Sequence, residues 1–178
     1  AFAAGNTYND VPTSHWAYQY IESVTEKGLF GGVGGGSFSP ETPFTRAQVT
    51  QTLYNAYSQI LTGTLDGNTA VNGLTGRELY KTPLRWALSY NLLDGAYNDM
   101  GSIYGANPET TCDRKGAALA MYRLAGALGV ELPTTNAAID FPDIASLDAE
   151  YQTAITALQR AGVLAGLPGG IYGPNEPL

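Results

Sequence analysis

PFTRAQVTQTLYNAY, residues 43–57, contains both the start of a helix and its buried face. Thr45 and Gln48 have the Thr-x-x-Gln spacing of a capping box, in which each side chain binds the backbone N–H of the other residue. The residues that follow recur at helical spacing and form an apolar stripe: Val49, Leu53, Tyr54 and Tyr57. Arg46 does not fit this scheme, because a cation at the positive end of a helix dipole is mildly unfavourable. Its position leaves room for a role in binding.

The composition indicates a folded chain and argues against several classes of function. A chain of 178 residues can form one ordinary domain or two very small ones. A hydrophobic share of 44% argues against disorder, and no apolar run approaches the roughly 20 residues that span a bilayer. The net charge of −7 argues against a nucleic-acid partner. A single cysteine, Cys112, excludes an internal disulfide and a cysteine metal cluster.

Internal repetition organises the chain. In the first unit, a helix stops at Gly28, which suits a left-handed C-cap, and a glycine-rich loop leads to the helix that begins at Thr45. A third unit repeats this order through six equivalent residues: Phe141 for Tyr8, Asp143 for Asp10, Gly162 for Gly28, Tyr172 for Phe38, Pro174 for Pro40, and Leu178 for Phe44. The sequence then stops before a second helix. We therefore expect a truncated third unit, produced by design of the expressed protein or by proteolysis.

The middle unit is more divergent. PETTCDR, residues 108–114, aligns with PETPFTR, residues 40–46, and Asp113 is a suitable N-cap for the helix that follows. Tyr104 marks the loop of this unit, and Asn91 is expected in the left-handed conformation that ends its first helix.

The start of that first helix has two possible placements. Thr75 and Glu78 form a second capping box, which would leave Pro83 to kink the helix. Alternatively, Thr82 is the cap and Pro83 is the first residue inside the helix.

The chain shows neither a period-2 strand pattern nor a strand–helix alternation, so we predict an all-α fold. Helical stripes this short must pack on one another, which favours one compact domain over separate beads. The predicted units are residues 8–60, 61–130 and 139–178.

Twelve residues of the first unit carry a resemblance to a known family: Tyr8, Asp10, Trp16, Ala17, Gly28, Gly36, Phe38, Pro40, Thr45, Arg46, Ala47 and Gln48. Their order resembles the S-layer homology (SLH) domain, strongly in the first unit, clearly in the third and weakly in the second. The resemblance implies a pseudo-threefold bundle of helix–loop–helix repeats on the outside of a bacterial cell. Such domains anchor their parent proteins non-covalently to secondary cell wall polymers, which often bear pyruvate ketals.

The resemblance also implies a binding site. Arg46, and with a weaker match Arg114, would lie in grooves between units and meet a carboxylate of the polymer. A guanidinium binds a carboxylate through two charge-assisted hydrogen bonds, and N–H groups at a helix N-terminus favour an anion. Gln48 replaces the usual acid of the motif, which keeps the cap and removes a negative charge. Lys115 adds a positive charge in the middle unit.

Other positions have competing interpretations. Gly36 could let backbone approach a sugar closely, although a glycine run such as residues 31–36 is more often a turn. Trp16 could offer a flat face to a sugar ring. However, Trp16 and Trp86 fit better as core or half-buried supports. Asp10 and Asp143 are expected to brace turns.

An enzyme is the weaker functional class. His15, the only histidine, is expected to be exposed in the first turn of the first helix, without companions for a triad or a metal site. None of the sixteen carboxylates stands in an apolar setting that would raise its pKa. We therefore predict a non-catalytic module without cofactor or metal, whose partner is a cell wall glycan.

The alternative is a structural subunit that assembles with other copies in a surface layer. The first residues, AFAA, resemble the end of a cleaved secretory signal and favour an extracellular location.

Overall fold

The computed structural model describes residues 6–62, 81–92 and 109–178. These residues form five α-helices and one short 3-10 turn: α1 Tyr18–Glu26, α2 Arg46–Thr62, α3 Lys81–Ser89, α4 Arg114–Ala127, the turn Pro142–Ile144, and α5 Ala149–Arg160. In the same ranges, β structure is limited to four isolated bridges. The prediction of an all-α fold is therefore confirmed. No helix in the described part of the chain is both long enough and apolar enough to cross a membrane.

Helices α2 and α4 are at the centre of the helix packing. Helix α2 packs against α3 and α4, and α4 also packs against α5. The stripe predicted for α2 faces this core. Val49 is buried in one cluster with Cys112 and Ala117. Leu53 contacts that cluster and a second one around Trp86.

The helix ends follow the sequence signals. The backbone N–H of Thr45 donates to Gln48 Oε1 over 2.8 Å, and the backbone N–H of Gln48 donates to Thr45 Oγ1 over 3.2 Å. Asp113 caps α4 through a 2.8 Å bond from the backbone N–H of Gly116. The residues expected in the left-handed conformation have positive φ values: Gly28 at 64°, Asn91 at 52° and Gly162 at 76°.

One placement in the middle unit is wrong. Lys81 and Thr82 are already helical, so Thr82 is not the cap of α3. Pro83 lies inside this helix, two residues after Lys81. The alternative box at Thr75 and Glu78 lies outside the described residues, as does Tyr104.

Three backbone segments meet at the starts of α2 and α4, and they are joined by a closed ring of hydrogen bonds. The N–H of Phe44 donates to the carbonyl of Leu178 over 2.9 Å. The N–H of Leu178 donates to the carbonyl of Cys112 over 2.9 Å. The N–H of Cys112 donates to the carbonyl of Phe44 over 2.8 Å, which closes the ring. These three residues hold equivalent positions in the three predicted units, so each unit contributes one member of the ring.

A second contact also recurs between units. The N–H of Arg46 donates to the carbonyl of Thr110 over 2.8 Å, and at the equivalent place the N–H of Arg114 donates to Glu176 over 3.0 Å. The first N–H of a helix has no acceptor within that helix. For α2 and α4, the neighbouring unit provides the acceptor.

A carboxylate braces the loop of the first and third units. Asp10 accepts from the N–H groups of Phe38 and Ser39 over 2.9 and 2.7 Å. Asp143 accepts from Tyr172 and Gly173 over 2.9 and 2.7 Å. The hydrogen bond from Phe38 is the main cause that lowers the pKa of Asp10. Burial opposes ionisation of Asp143, but its backbone hydrogen bonds outweigh that effect and lower its pKa. The predicted bracing role is confirmed for both residues.

Two glycines at equivalent positions close these loops and provide a test of the repeat. A Cβ at Gly32 would lie 2.5 Å from the carbonyl oxygen of Ser37, and a Cβ at Gly166 would lie 2.9 Å from that of Ile171. Alanine at either position should lower the free energy of unfolding by about 1–3 kcal/mol through overpacking. Urea unfolding followed by circular dichroism measures this change.

Gly126 in α4 is the control for this test, because a Cβ there meets no atom within 4 Å. Gly126→Ala should raise the free energy of unfolding by about 0.5–1 kcal/mol, since alanine loses less entropy in a helix. Unchanged stability in both Gly32→Ala and Gly166→Ala would contradict the close loop packing.

Candidate ligand-binding groove

Arg46 lies beside a small cavity between the first turn of α2 and the start of α4. Its lining residues come from both units: Arg46, Val49, Thr111, Cys112, Asp113, Gly116 and Ala120. The cavity volume is about 40 Å³, far below the roughly 300–1,000 Å³ of sites that enclose a whole small ligand. A site of this size suits one small charged group of a ligand whose remainder lies outside.

The charge of Asp113 in the cavity wall is compensated within the middle unit. Asp113 Oδ2 accepts from Lys115 Nζ over 2.5 Å, and Asp113 Oδ1 accepts from the N–H of Gly116. Lys115 Nζ also donates to Asn175 Oδ1 over 2.6 Å. Lys115 does not line the cavity; it offsets the carboxylate that would otherwise repel an anion there.

Five backbone N–H groups at the helix starts already donate within the protein, so they are not available to donate directly to an anion. The N–H groups of Arg46 and Arg114 donate to the neighbouring unit, and that of Lys115 donates to the carbonyl of Pro174 over 3.0 Å. The N–H groups of Gln48 and Gly116 donate to their caps. Direct contacts to an anion must therefore come mainly from side chains.

Arg114 holds the loop of the third unit. Its Nε donates to the carbonyl of Tyr172 over 3.0 Å, and its Nη2 donates to that of Ala165 over 2.7 Å. The guanidinium lies 4.7 Å from the centre of the Tyr172 ring, and the Tyr172 hydroxyl donates to the carbonyl of Arg114 over 2.9 Å. Arg114 thus has a bracing role within the fold, which sequence reasoning did not identify.

Gln48 and Gly36 have local structural roles. Gln48 completes the capping box with Thr45. Gly36 has a φ of 79°, and its carbonyl accepts from the N–H of Asn9 over 2.9 Å. A Cβ at Gly36 would lie 3.0 Å from the side-chain nitrogen of Asn9, so the turn alone accounts for this glycine. Neither residue lines the cavity beside Arg46.

The two tryptophans differ in exposure. Trp86 is 9% exposed and contacts the rings of Tyr54 and Tyr57, as expected for a core residue. Trp16 is 81% exposed, so the expectation that it is a core or half-buried support is wrong. The helix begins only at Tyr18, and Ala17 occupies the buried position instead.

The expectation for His15 is also wrong. His15 precedes α1, and its side chain is only 16% exposed. Its Nδ1 accepts from the N–H of Ala17 over 3.1 Å, which explains why the ring turns inward. Among the described residues, no group of three His, Cys, Asp or Glu side chains is placed to hold a metal ion.

Two parts of the chain match a known family. Residues 7–50 and 140–178 each match the family model of the S-layer homology domain. These parts correspond to the predicted first and third units, and the divergent middle unit, residues 61–130, lies outside them. A cellulosome-anchoring protein of Acetivibrio thermocellus is 44% identical over 48 residues, which are 27% of this chain and 11% of that protein. The chain is therefore similar to S-layer homology domains in these two parts, and the part shared with the anchoring protein is about a tenth of that protein's length.

The burial of the Tyr172 hydroxyl predicts a loss of stability in alkali. Burial raises the pKa of Tyr172 to about 12, while Arg114 acts in the opposite direction. The folded pKa exceeds the unfolded value of about 10, so the folded state favours the neutral hydroxyl of Tyr172. The stability that this preference contributes is complete below pH 10 and is lost as the pH rises to about 12. We expect the Tm to fall over this interval and to fall less in Tyr172→Phe.

Thermal unfolding between pH 9 and 12 measures this dependence, with Tyr20→Phe as control because Tyr20 is 70% exposed. The same pH dependence in Tyr172→Phe as in the parent chain would contradict the role of Tyr172.

Proposed function

We propose that this chain is a non-catalytic anchoring module that binds an anionic secondary cell wall polymer through the cavity beside Arg46. The observation that carries the proposal is this arginine at a cavity sized for one acidic group, in a chain with two S-layer homology matches. The acidic group we propose is a carboxylate of the polymer, such as a pyruvate ketal.

The lining residues are consistent with this ligand. The guanidinium of Arg46 would pair with the carboxylate, and the exposed Thr111 offers a hydroxyl at the edge. Compensation of Asp113 by Lys115 reduces the electrostatic cost of placing an anion beside it. Gln48, Gly36 and Trp16 remain predicted contacts for the part of the polymer outside the cavity.

We also propose that the three units are related by a pseudo-threefold axis through the hydrogen-bond ring. The recurring contacts of Arg46 and Arg114 with the following unit support this arrangement. In this arrangement, Arg114 would be a second polymer contact at the equivalent place. It would use the guanidinium N–H groups that do not donate to the carbonyls of Tyr172 and Ala165.

Binding to cell walls tests the site at Arg46. We expect the chain to co-sediment with purified Gram-positive cell walls and to lose this retention when the non-peptidoglycan polymer is stripped. Arg46→Ala should weaken binding by roughly tenfold or more, because it removes a charge-assisted hydrogen-bonding group. Arg46→Lys should recover only part of the affinity, since lysine cannot form the two-pronged contact.

Arg85→Ala is a matched control, because Arg85 is an exposed arginine in α3 that does not line the cavity. Circular dichroism verifies that each variant is folded. Retention that is independent of the polymer, or that Arg85→Ala lowers as much as Arg46→Ala, would contradict the proposal.

A second candidate function is assembly with other copies, since Trp16, just before α1, and Tyr20, in its first turn, are 81% and 70% exposed. We expect light scattering to rise with protein concentration in the absence of polymer if these aromatic faces mediate assembly, and Trp16→Ala to reduce the rise. Concentration-independent scattering would exclude this candidate and leave anchoring unaffected.

A further inference from the structure

We propose a second ligand site, for a sugar that carries an oxyanion, in a cavity between α5 and the linker that precedes the third unit. Its volume is about 420 Å³, within the range of small-molecule sites. Seven residues line it: Leu132, Thr134, Gln152, Thr153, Thr156, Ala157 and Arg160. It shares no lining residue with the cavity beside Arg46, so this site is independent of the function proposed above.

Arg160 provides a buried hydrogen-bond donor without an acceptor. Its Nε is buried and has no hydrogen-bond partner in the described part of the chain. Leaving such a group unsatisfied is costly, and native proteins rarely do so. The residues one helical turn earlier, Thr156 and Ala157, offer no carboxylate to pair with the guanidinium. Arg160 also lines the cavity, where an acidic group would be bound through the terminal NH2 groups of the guanidinium.

The wall opposite α5 is held in place by side-chain hydrogen bonds. Gln159 is 4% exposed and holds the end of the linker, accepting from the N–H of Ile139, the first residue of the third unit, and donating to the carbonyl of Ala137, both over 3.1 Å. The N–H of Asn136 donates to the carbonyl of Arg160 over 2.9 Å. These bonds fix the linker against α5, so the cavity exists before a ligand binds, which reduces the entropy lost on binding.

The polar groups of the cavity divide into two sets. Gln152 donates to the carbonyl of Leu147 over 2.7 Å, and the hydroxyl of Thr153 donates to that of Ala149 over 2.8 Å. These two side chains serve the helix and its start. The hydroxyls of Thr134 and Thr156 remain for a ligand.

This combination selects the ligand class. A guanidinium binds a carboxylate or a phosphate through parallel charge-assisted hydrogen bonds. The hydroxyls of Thr134 and Thr156 match the hydroxyls of a sugar, and Leu132 and Ala157 offer apolar surface to its C–H groups. Because the chain has a net charge of −7, general attraction of anions is not expected, and recognition depends on the local Arg160.

Nuclear magnetic resonance of the full ¹⁵N-labelled chain tests the site directly, through the Nε–H signals of its arginines. The probes are glucuronic acid, glucose 6-phosphate and uncharged glucose. We expect the Arg160 signal to shift when either acidic sugar is added, with a Kd for binding on the order of 1 mM. Glucose should leave the signal unchanged. A response to one acid alone supports the site and identifies the oxyanion as carboxylate or phosphate.

Arg123 provides an internal control, because its guanidinium is paired with Glu150 at 2.7 and 2.6 Å. Its signal should not move. Arg160→Gln should abolish binding, and Thr156→Val should weaken it roughly tenfold. Arg46→Ala should leave the response unchanged, so a failure here is distinguishable from a failure of wall binding.

Three results would overturn the proposal: no shift of the Arg160 signal with either acid, an equal shift with glucose, or loss of the response in Arg46→Ala.

Discussion

The ring of backbone hydrogen bonds through Phe44, Cys112 and Leu178 is the constraint on which the rest of the structure depends. Backbone N–H and carbonyl groups inside a domain must find partners, and here each of the three segments obtains its partners from the other two. The starts of α2 and α4 are therefore fixed relative to each other and to the last residues of the chain. In this arrangement a unit completes its hydrogen bonding only beside its neighbours.

This constraint also determines what the helix starts can bind. Helix N-termini commonly attract anions through free N–H groups, but those of Arg46 and Arg114 are bonded to Thr110 and Glu176. An anion bound here would therefore take direct hydrogen bonds mainly from side chains. The two arginines share a position in the repeat and yet have different structural settings. Arg114 holds two carbonyls and the Tyr172 ring, whereas Arg46 lines a cavity.

The predictions that the structure confirms concern contacts whose partners are close in sequence or recur at a fixed offset. The box of Thr45 and Gln48 closes within one helical turn. Asp10 and Asp143 reach their loops across 28 to 30 residues, but the repeat made the second contact predictable from the first. Trp16 and His15 were predicted wrongly, because their exposure depends on where α1 begins and on which residue fills the buried position beside it.

By itself, the sequence determined the helical class, the caps and the braced loops. These features depend on backbone preferences and hydrogen bonds that a short stretch of chain defines. Only the tertiary structure decided which units meet, and hence that Arg114 binds carbonyls 51 and 58 residues away. It also decided that Arg160 faces a cavity against the linker, because local periodicity places a residue on a helix face but does not specify which distant segment covers that face.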